Sequence, residues 1–388
     1  MEASPSPFST ARLGPLTLRN RFIKAATFEG MADDGLVSDR LVEFHRSVAA
    51  GGVAMTTLAF LAVCEDGKGA TGEIVVDERS ATGLQRLADA AHSEGALVAG
   101  QIGHAGPVAV ALGSRGLAAS RVLSPMAIRT TRAATAEDID RIVSAFGSAA
   151  RHLQHAGFDA VEIHMGHGYL LSAFLSPVLN RRNDAYGGDV ERRAELARRV
   201  ATAVRSAVDP RMAVIAKINV DDGARGGTQL GDVIDTIRLF ERDGTLDAVT
   251  LTGGSSFRDP MFLMRGDAPV RELAQEFPQP LRTAIRLAGS QFLRTYPFHE
   301  GFFLDRARRV RAATTMPLIA LGGINRLSTV KAAINDGCIA VSLARALLRE
   351  PNIVNRWRSG DEQDGTCIHC NRCMPTIYRG THCTEIAS

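Results

Sequence analysis

The chain has 388 residues, 45% apolar and 22% charged, with a net charge of +3. That length fits one large α/β barrel with excursions or two medium domains, and the balance excludes a disordered chain. So small a charge does not argue for nucleic acid, and 5% aromatic residues offer no evident stacking platform for single strands. Met1 to Gly14 is polar and rich in Ser and Pro, without the charged start, apolar core and cleavage site of a secretory signal. No run of 18 apolar residues appears, so the expected location is the cytoplasm, away from membranes. Six cysteines in so long a chain do not make a disulfide scaffold, yet Cys367, Cys370, Cys373 and Cys383 crowd into the tail.

Taken in chain order, short apolar runs alternate with longer amphipathic ones. Strands are expected at Arg21–Thr27, Val53–Leu58, Ala96–Ile102, Asp159–His164, Ala213–Asn219, Asp247–Thr252, Pro317–Leu321 and Cys338–Leu343. The clear helices are Arg79–Glu94, Glu137–Ala156, Val190–Val208 and Thr228–Arg242. A helix-ending glycine often follows, as at Gly51, Gly95, Gly157, Gly244 and Gly337. Eight βα units in order predict a (β/α)8 TIM barrel. A doubly wound open sheet also alternates strand and helix, but no glycine-rich dinucleotide fingerprint follows the first strand. Long excursions are expected after strand 3 (Leu112–Thr135) and strand 6 (Gly253–Phe302), where they cover a substrate pocket or decorate the surface. The expected division is residues 1–358 as the barrel and 359–388 as a short Cys-rich C-terminal tail.

Barrel enzymes collect their chemistry at strand C-termini. Here Thr27, Gln101, His164 and Lys217 close strands, Gly322-Gly323 follow the seventh, and Arg345 follows the eighth. The densest stretch is His164-Met165-Gly166-His167-Gly168-Tyr169, two imidazoles and a phenol within six residues. Such a group suits a substrate oxygen that becomes negative during reaction. Consecutive glycines let backbone N–H groups approach a phosphate, and Arg345 adds a fixed cation. Leu321–Ile324 with Ala344-Arg345 therefore reads as a phosphate cradle, against the plainer reading of a helix-entry turn. A phosphate-bearing cofactor would lie across the mouth, with Gln101 pairing with ring amide and carbonyl groups and Lys217 holding negative charge on a reduced ring. That favours flavin mononucleotide, with His164 and His167 facing the substrate. Tyr169 also reads as a residue that merely closes the pocket. His104 reads as structural, and Glu162 as a buried, paired carboxylate inside its strand.

The stretches Gly157–His164, His167–Leu171 and Phe174–Pro177, with Asn180, Arg182 and Tyr186-Gly187-Gly188, carry a specific resemblance. Asn20-Arg21, Gln101 with His104-Ala105-Gly106, and Gly322-Gly323 with Ala344-Arg345 support it. From about Leu13 to Trp357 the chain resembles the Old Yellow Enzyme family of FMN-dependent NADH:flavin oxidoreductases. The resemblance implies that main chain near Ala25, Ala26 and Thr27 touches the flavin. Gln101 binds its pyrimidine edge, and Lys217 takes the place of the family's basic residue near N1 and O2. Gly322, Gly323, Ala344 and Arg345 hold the phosphate. It implies His164 and His167 as binders of the substrate's activating oxygen, with Tyr169 in the place of the proton donor. The implied reaction uses NAD(P)H to reduce the activated C=C bond of an α,β-unsaturated carbonyl substrate.

Three positions depart from the family pattern. Phe28 stands where Thr or Cys often meets the flavin carbonyl, with Thr27 beside it. Pro107 stands where a basic residue commonly follows His-Ala-Gly, and Ala344 replaces a common Gly. The run Cys367-x2-Cys370-x2-Cys373-x9-Cys383 resembles the iron–sulfur site of members similar to 2,4-dienoyl-CoA reductase, which space the third cysteine one residue further on. Those members continue into FAD- and NAD(P)H-binding domains, whereas this sequence ends at Ser388, giving the expectation of no second flavin as electron source. The four cysteines are expected to hold iron–sulfur, zinc or nothing. Assembly is left open, a homo-oligomer included. Two rivals remain at this stage: a barrel that oxidises amines or alcohols, and a non-catalytic barrel whose metal-binding tail serves interaction.

Overall fold

In the computed structural model the described residues are 5–109, 116–124, 129–256 and 258–386. Eight strands alternate with helices and form the barrel: β1 (Phe22–Lys24), β2 (Met55–Ala62), β3 (Leu97–Gly103), β4 (Ala160–Met165), β5 (Ala213–Asn219), β6 (Ala248–Thr252), β7 (Leu318–Ala320) and β8 (Ala340–Leu343). All pair in parallel in the order β1-β8-β7-β6-β5-β4-β3-β2, and Ile23 against Met55 joins β1 to β2 and closes the cylinder. A two-residue strand, Ile74–Val75, flanks the end of β2. Buried on both faces, these strands read as continuous apolar runs, which is why the sequence exposes them. The first and seventh end sooner than the sequence pattern suggests, where the chain turns into the loops of the mouth, and the eighth starts two residues later, at Ala340.

The helices Ala81–Ser93, Ala136–His155, Val190–Ala207 and Leu230–Asp243 lie within two residues of their expected bounds. Ala136–His155 shows why: Thr135 and Asp138 form a capping box, and Ile139, Ile142, Phe146 and Leu153 make one buried stripe. Asp39–Ala50, Leu304–Ala313 and Leu327–Asn335 help complete the ring. The second of these is obscured in the sequence by its arginines, with only Leu304, Ala307 and Val310 buried. Among the described residues no helix is long and apolar enough to cross a membrane.

An N-terminal hairpin, Ala11–Leu13 against Leu16–Leu18, plugs the bottom. Leu13 and Leu18 are fully buried among Ala54, Ala99, Ala160, Ala213, Ala248 and Ala340, small residues that leave room at the strand starts. Of the excursion after β3, residues 110–115 and 125–128 lie outside the described residues. The rest forms two short pairings, Leu117–Ala118 with Arg132–Ala133 and Leu123–Ser124 with Arg129–Thr130. Among the described residues the excursion after β6 carries three helices, Pro260–Met264, Val270–Gln275 and Leu281–Phe292.

The tail packs on the barrel mouth. Asn325 and Gly365 exchange hydrogen bonds of 2.6 and 2.7 Å. His369 stacks on Phe298 with centroids 3.4 Å apart. The Thr381 N–H and hydroxyl donate to the carbonyls of Glu29 and Phe28 at 2.6 and 2.7 Å.

Leu18→Ala should leave a cavity in the plug and lower stability by about 2–5 kcal/mol. Urea unfolding measures this, and an unchanged midpoint would contradict a load-carrying role for the hairpin.

Candidate active site

The floor of the mouth is organised by Glu162 in β4. Its Oε1 accepts from Gln101 Nε2 at 2.7 Å and lies 3.0 Å from Lys217 Nζ, while Oε2 accepts from Thr250 at 3.1 Å. All four side chains are at most 4% exposed. Gln101 sits opposite Glu162 in the β3–β4 register. Lys217 also reaches the Ala26 carbonyl at 3.5 Å, bringing the β1 loop to the same place. Of the expected backbone contacts, Ala25 N–H bonds to the Leu343 carbonyl at 2.7 Å, and the Thr27 hydroxyl donates to Glu29 at 3.4 Å. Phe28 packs against the Ala59–Phe60–Ala62 cluster that also touches Tyr169.

A second buried pair stands beside the first. Lys24 bonds to Glu29, which also accepts from Ala59 N–H at 3.2 Å and lies 3.8 Å from His45 Nε2. Sequence reasoning missed this group. A lysine inside the apolar run Phe22-Ile23-Lys24-Ala25-Ala26 was the available signal, because a charge there needs a partner.

His164, His167 and Tyr169 form a wall. Their rings meet edge to face, with centroids 5.0 Å apart for His164–His167 and 4.7 Å for His164–Tyr169. Phe60 closes the group from behind, 5.2 Å from Tyr169 and 6.1 Å from His164. His167 takes a left-handed backbone (φ 60°) stabilised by its N–H donating to Asn219 Oδ1 at 3.0 Å, and its Nε2 lies 2.9 Å from the Thr252 hydroxyl. Asn219 and Thr252 end β5 and β6, so the strand-end rule that singled out Lys217 would also have found them. Burial, and then the Lys217 charge, push His167 down to about 3. Burial, then His167 and Lys217, hold His164 well below the usual imidazole range. Burial first, then Glu73, raises the Tyr169 phenol above its ordinary value. At neutral pH the wall is two neutral imidazoles and a protonated phenol.

Gly322 and Gly323 both have positive φ, 119° and 64°, and neither leaves space for a Cβ beside Phe302 and Phe303. Their carbonyls accept from Phe302 and Gly301 N–H groups at 3.0 and 3.1 Å. Ala344 precedes the short helix Arg345–Arg349. The Arg345 guanidinium turns toward the tail: it donates to the Met264 and Arg265 carbonyls at 2.5 and 3.2 Å and to Asn371 Oδ1.

Residues 7–247 match the NADH:flavin oxidoreductase / NADH oxidase family. A 4,4'-dithiodibutanoate disulfide reductase of Rhodococcus erythropolis is 50% identical over 382 residues, covering 98% of this chain and 95% of that protein. The chain belongs to the NADH:flavin oxidoreductase family. It is therefore an oxidoreductase of an FMN-binding, NAD(P)H-dependent class, which sets aside the non-catalytic rival. Several other curated relatives are longer, and the chain spans about half their length. Two solved structures share the fold. An Old Yellow Enzyme homologue from Zymomonas mobilis has a TM-score of 0.73 at 20% identity, over 94% of this chain and 96% of that one. A 2-naphthoyl-CoA reductase complex has a TM-score of 0.83 at 24% identity, over 97% of this chain and 56% of that one.

The residues present fit the family's flavin. A buried lysine and a glutamine amide sit at the mouth, and the backbone N–H groups of Gly322 and Gly323 donate to no carbonyl or side chain among the described residues. The tail adds a second feature. Cys367, Cys370, Cys373 and Cys383 line one cavity of about 190 Å³ with Arg345 and Asn371. A third cluster was not anticipated: ligand atoms of Cys64, Asp66 and His104 lie within 4.8 Å of one another. His104 Nδ1 accepts from Gly106 N–H at 3.0 Å, so its proton sits on Nε2 and faces Asp66 at 4.0 Å. Arg141 covers the same carboxylate at 2.7 and 3.0 Å. That wiring is an ion-pair cluster with no lone pair offered by His104, which fits the structural reading of that residue.

Glu162→Gln keeps the shape but removes the charge beside Lys217. Flavin should be released at least tenfold faster on dilution, followed by fluorescence, because an unpaired buried lysine must move or lose its proton. Unchanged release would show that Glu162 does not position the floor.

Proposed function

We propose that this protein uses NAD(P)H to reduce the activated C=C bond of an α,β-unsaturated carbonyl compound. The wall of His164, His167 and Tyr169 above the buried Glu162–Lys217 floor carries the reading. FMN, when bound, supplies the hydride it has received from NAD(P)H. Gln101 and Lys217 would hold its pyrimidine edge, main chain at Ala25, Ala26 and Thr27 its ring, and main chain at Gly322, Gly323 and Ala344 the phosphate end, whereas the expected Arg345 fork is already engaged by Met264, Arg265 and Asn371. His164 and His167, neutral at working pH, each offer one N–H to the substrate oxygen as negative charge develops there. Tyr169, still protonated, gives a proton to the carbon beside the carbonyl. The balance is NAD(P)H, one proton and the C=C compound giving NAD(P)+ and the saturated product.

A second reading has its own support. The Rhodococcus relative, half identical over nearly the whole chain, is named for reducing the disulfide 4,4'-dithiodibutanoate. The same donors suit a sulfur that leaves as thiolate, and NAD(P)H, one proton and one disulfide give NAD(P)+ and two thiols.

We also infer that the tail cavity holds an iron–sulfur cluster. Four thiols around one cavity are ligands of the kind that such a cluster takes. A gap of about 190 Å³ ringed by cysteines suits a group larger than one zinc ion.

Under anaerobic conditions, flavin reduced by NADPH should reoxidise on adding 2-cyclohexenone; recovery only with 4,4'-dithiodibutanoate would move the assignment to disulfides. His164→Ala with His167→Ala should keep flavin and lose on the order of 10²–10³ in turnover. With His167 titrating near 3, turnover should show no imidazole limb between about pH 5 and 8; a limb near pH 6.5 would refute neutral donors set by burial.

Iron and acid-labile sulfide should co-purify with the chain, and Cys370→Ala should remove both while sparing flavin. Zinc without sulfide would refute the cluster.

A further inference from the structure

Arg265 ends the helix Pro260–Met264 in a left-handed conformation, φ 46°. Such a backbone in a side chain of this size is strained and is held by its surroundings. Here the holders are long-range: the Arg265 carbonyl accepts from Asn371 at 2.8 Å and Arg345 at 3.2 Å. The side chain lies among three rings, its guanidinium carbon 5.0 Å from the Phe302 centroid, 5.3 Å from Phe262 and 5.9 Å from Tyr296. Its Nε is buried without an acceptor, and its other polar contact among the described residues is His299 Nε2 at 3.5 Å. No carboxylate among the described residues forms an ion pair with it. Aromatic faces stabilise a cation but accept none of its N–H groups in the plane of the fork.

Its place in the barrel sets it beside the glycine loop. Phe302, over which it lies, packs on the Gly322–Gly323 loop: a Cβ on Gly323 would meet the Phe302 ring at 2.5 Å and Phe298 at 2.7 Å. Arg265 thus stands one ring away from the loop whose sequence suits a phosphate. Arg345, the cation that pattern would put there, has its fork engaged by Met264, Arg265 and Asn371. Arg306, the next cation nearby, is paired with Asp221 at 2.7 Å. Arg326, three residues past Gly323, is paired with Asp364 at 2.9 Å, and Arg265 near this loop keeps an Nε with no acceptor among the described residues.

We propose that Arg265 is an oxyanion-binding residue at the barrel mouth, taking a phosphate or carboxylate group of a molecule bound there. The proposal rests on the flavin-reductase reading and names a residue that this reading lacked. Two sources offer that chemistry: the phosphate of FMN, and an acidic group on the substrate.

The test uses holoprotein with Arg265→Gln and Arg265→Lys. Flavin release on dilution is followed by fluorescence. Binding of 4,4'-dithiodibutanoate and of its dimethyl ester is followed by the flavin absorption band. If the ligand is the FMN phosphate, R265Q should release flavin roughly 10- to 100-fold faster, the loss of a charge-assisted hydrogen bond, with R265K in between. If the ligand is a substrate carboxylate, flavin release should hold steady, while R265Q weakens the diacid by a similar factor and leaves the ester unchanged. A variant altered in neither, or one whose Tm alone falls, would make Arg265 a brace between rings and overturn the proposal. Should the wild type carry no flavin, the flavin reading fails by itself. The Arg265 site is then judged by inorganic phosphate, which should raise the Tm of the wild type and not of R265Q.

Discussion

The whole mouth of this barrel depends on one buried carboxylate. Glu162 holds a lysine from β5, an amide from β3 and a hydroxyl from β6. Taking a carboxylate and an ammonium out of water is expensive, and the cost is offset only by close pairing with every lone pair occupied. The parallel register makes that possible, because Gln101 and Glu162 lie opposite each other and Lys217 lies opposite Thr250. A sheet slipped by one residue would face these groups into the helix ring, so the polar floor also works against misregistered strands.

The floor acts on the wall. The Lys217 charge stands second to burial among the causes that keep His167 unprotonated. Without it the rings would remain desolvated, but the electrostatic bias toward two neutral donors would weaken. A protonated pair would hold an anion more strongly before reaction as well as during it. In the proposed reaction, neutral N–H groups favour the charge that would appear only as the substrate is reduced. Tyr169 gains from the same enclosure in the opposite sense, since burial keeps a phenol protonated as surely as it keeps an imidazole neutral.

The tail belongs to this arrangement. Glu29 is bound at both ends: its carboxylate holds Lys24 within the barrel, and its carbonyl accepts from Thr381 of the tail. Arg345 and Asn371 join the tail to the excursion after β6 in the same way. These hydrogen bonds tie the cysteine-lined cavity to the loops after β1 and β6. The tail reads in sequence as an appendage because its cysteines attract attention and its polar anchors, Asn371 and Thr381, do not.

What the sequence makes legible follows from how far apart the partners lie. The strands and four helices show themselves through local periodicity and caps, and His164, His167 and Tyr169 through a six-residue spacing. Gln101 and Lys217 are visible as polar strand ends, although nothing near either one reveals that Glu162 joins them, 61 residues away from Gln101. Arg345 is the instructive case. Its neighbours Ala344 and Ala346 give no hint that its donors meet an amide 26 residues later and a carbonyl 81 residues earlier. A motif fixes where a Cα sits in a barrel. The direction of a long side chain is decided by acceptors from elsewhere in the chain, and here those acceptors draw one arginine away from the glycine loop and strain another into place beside it.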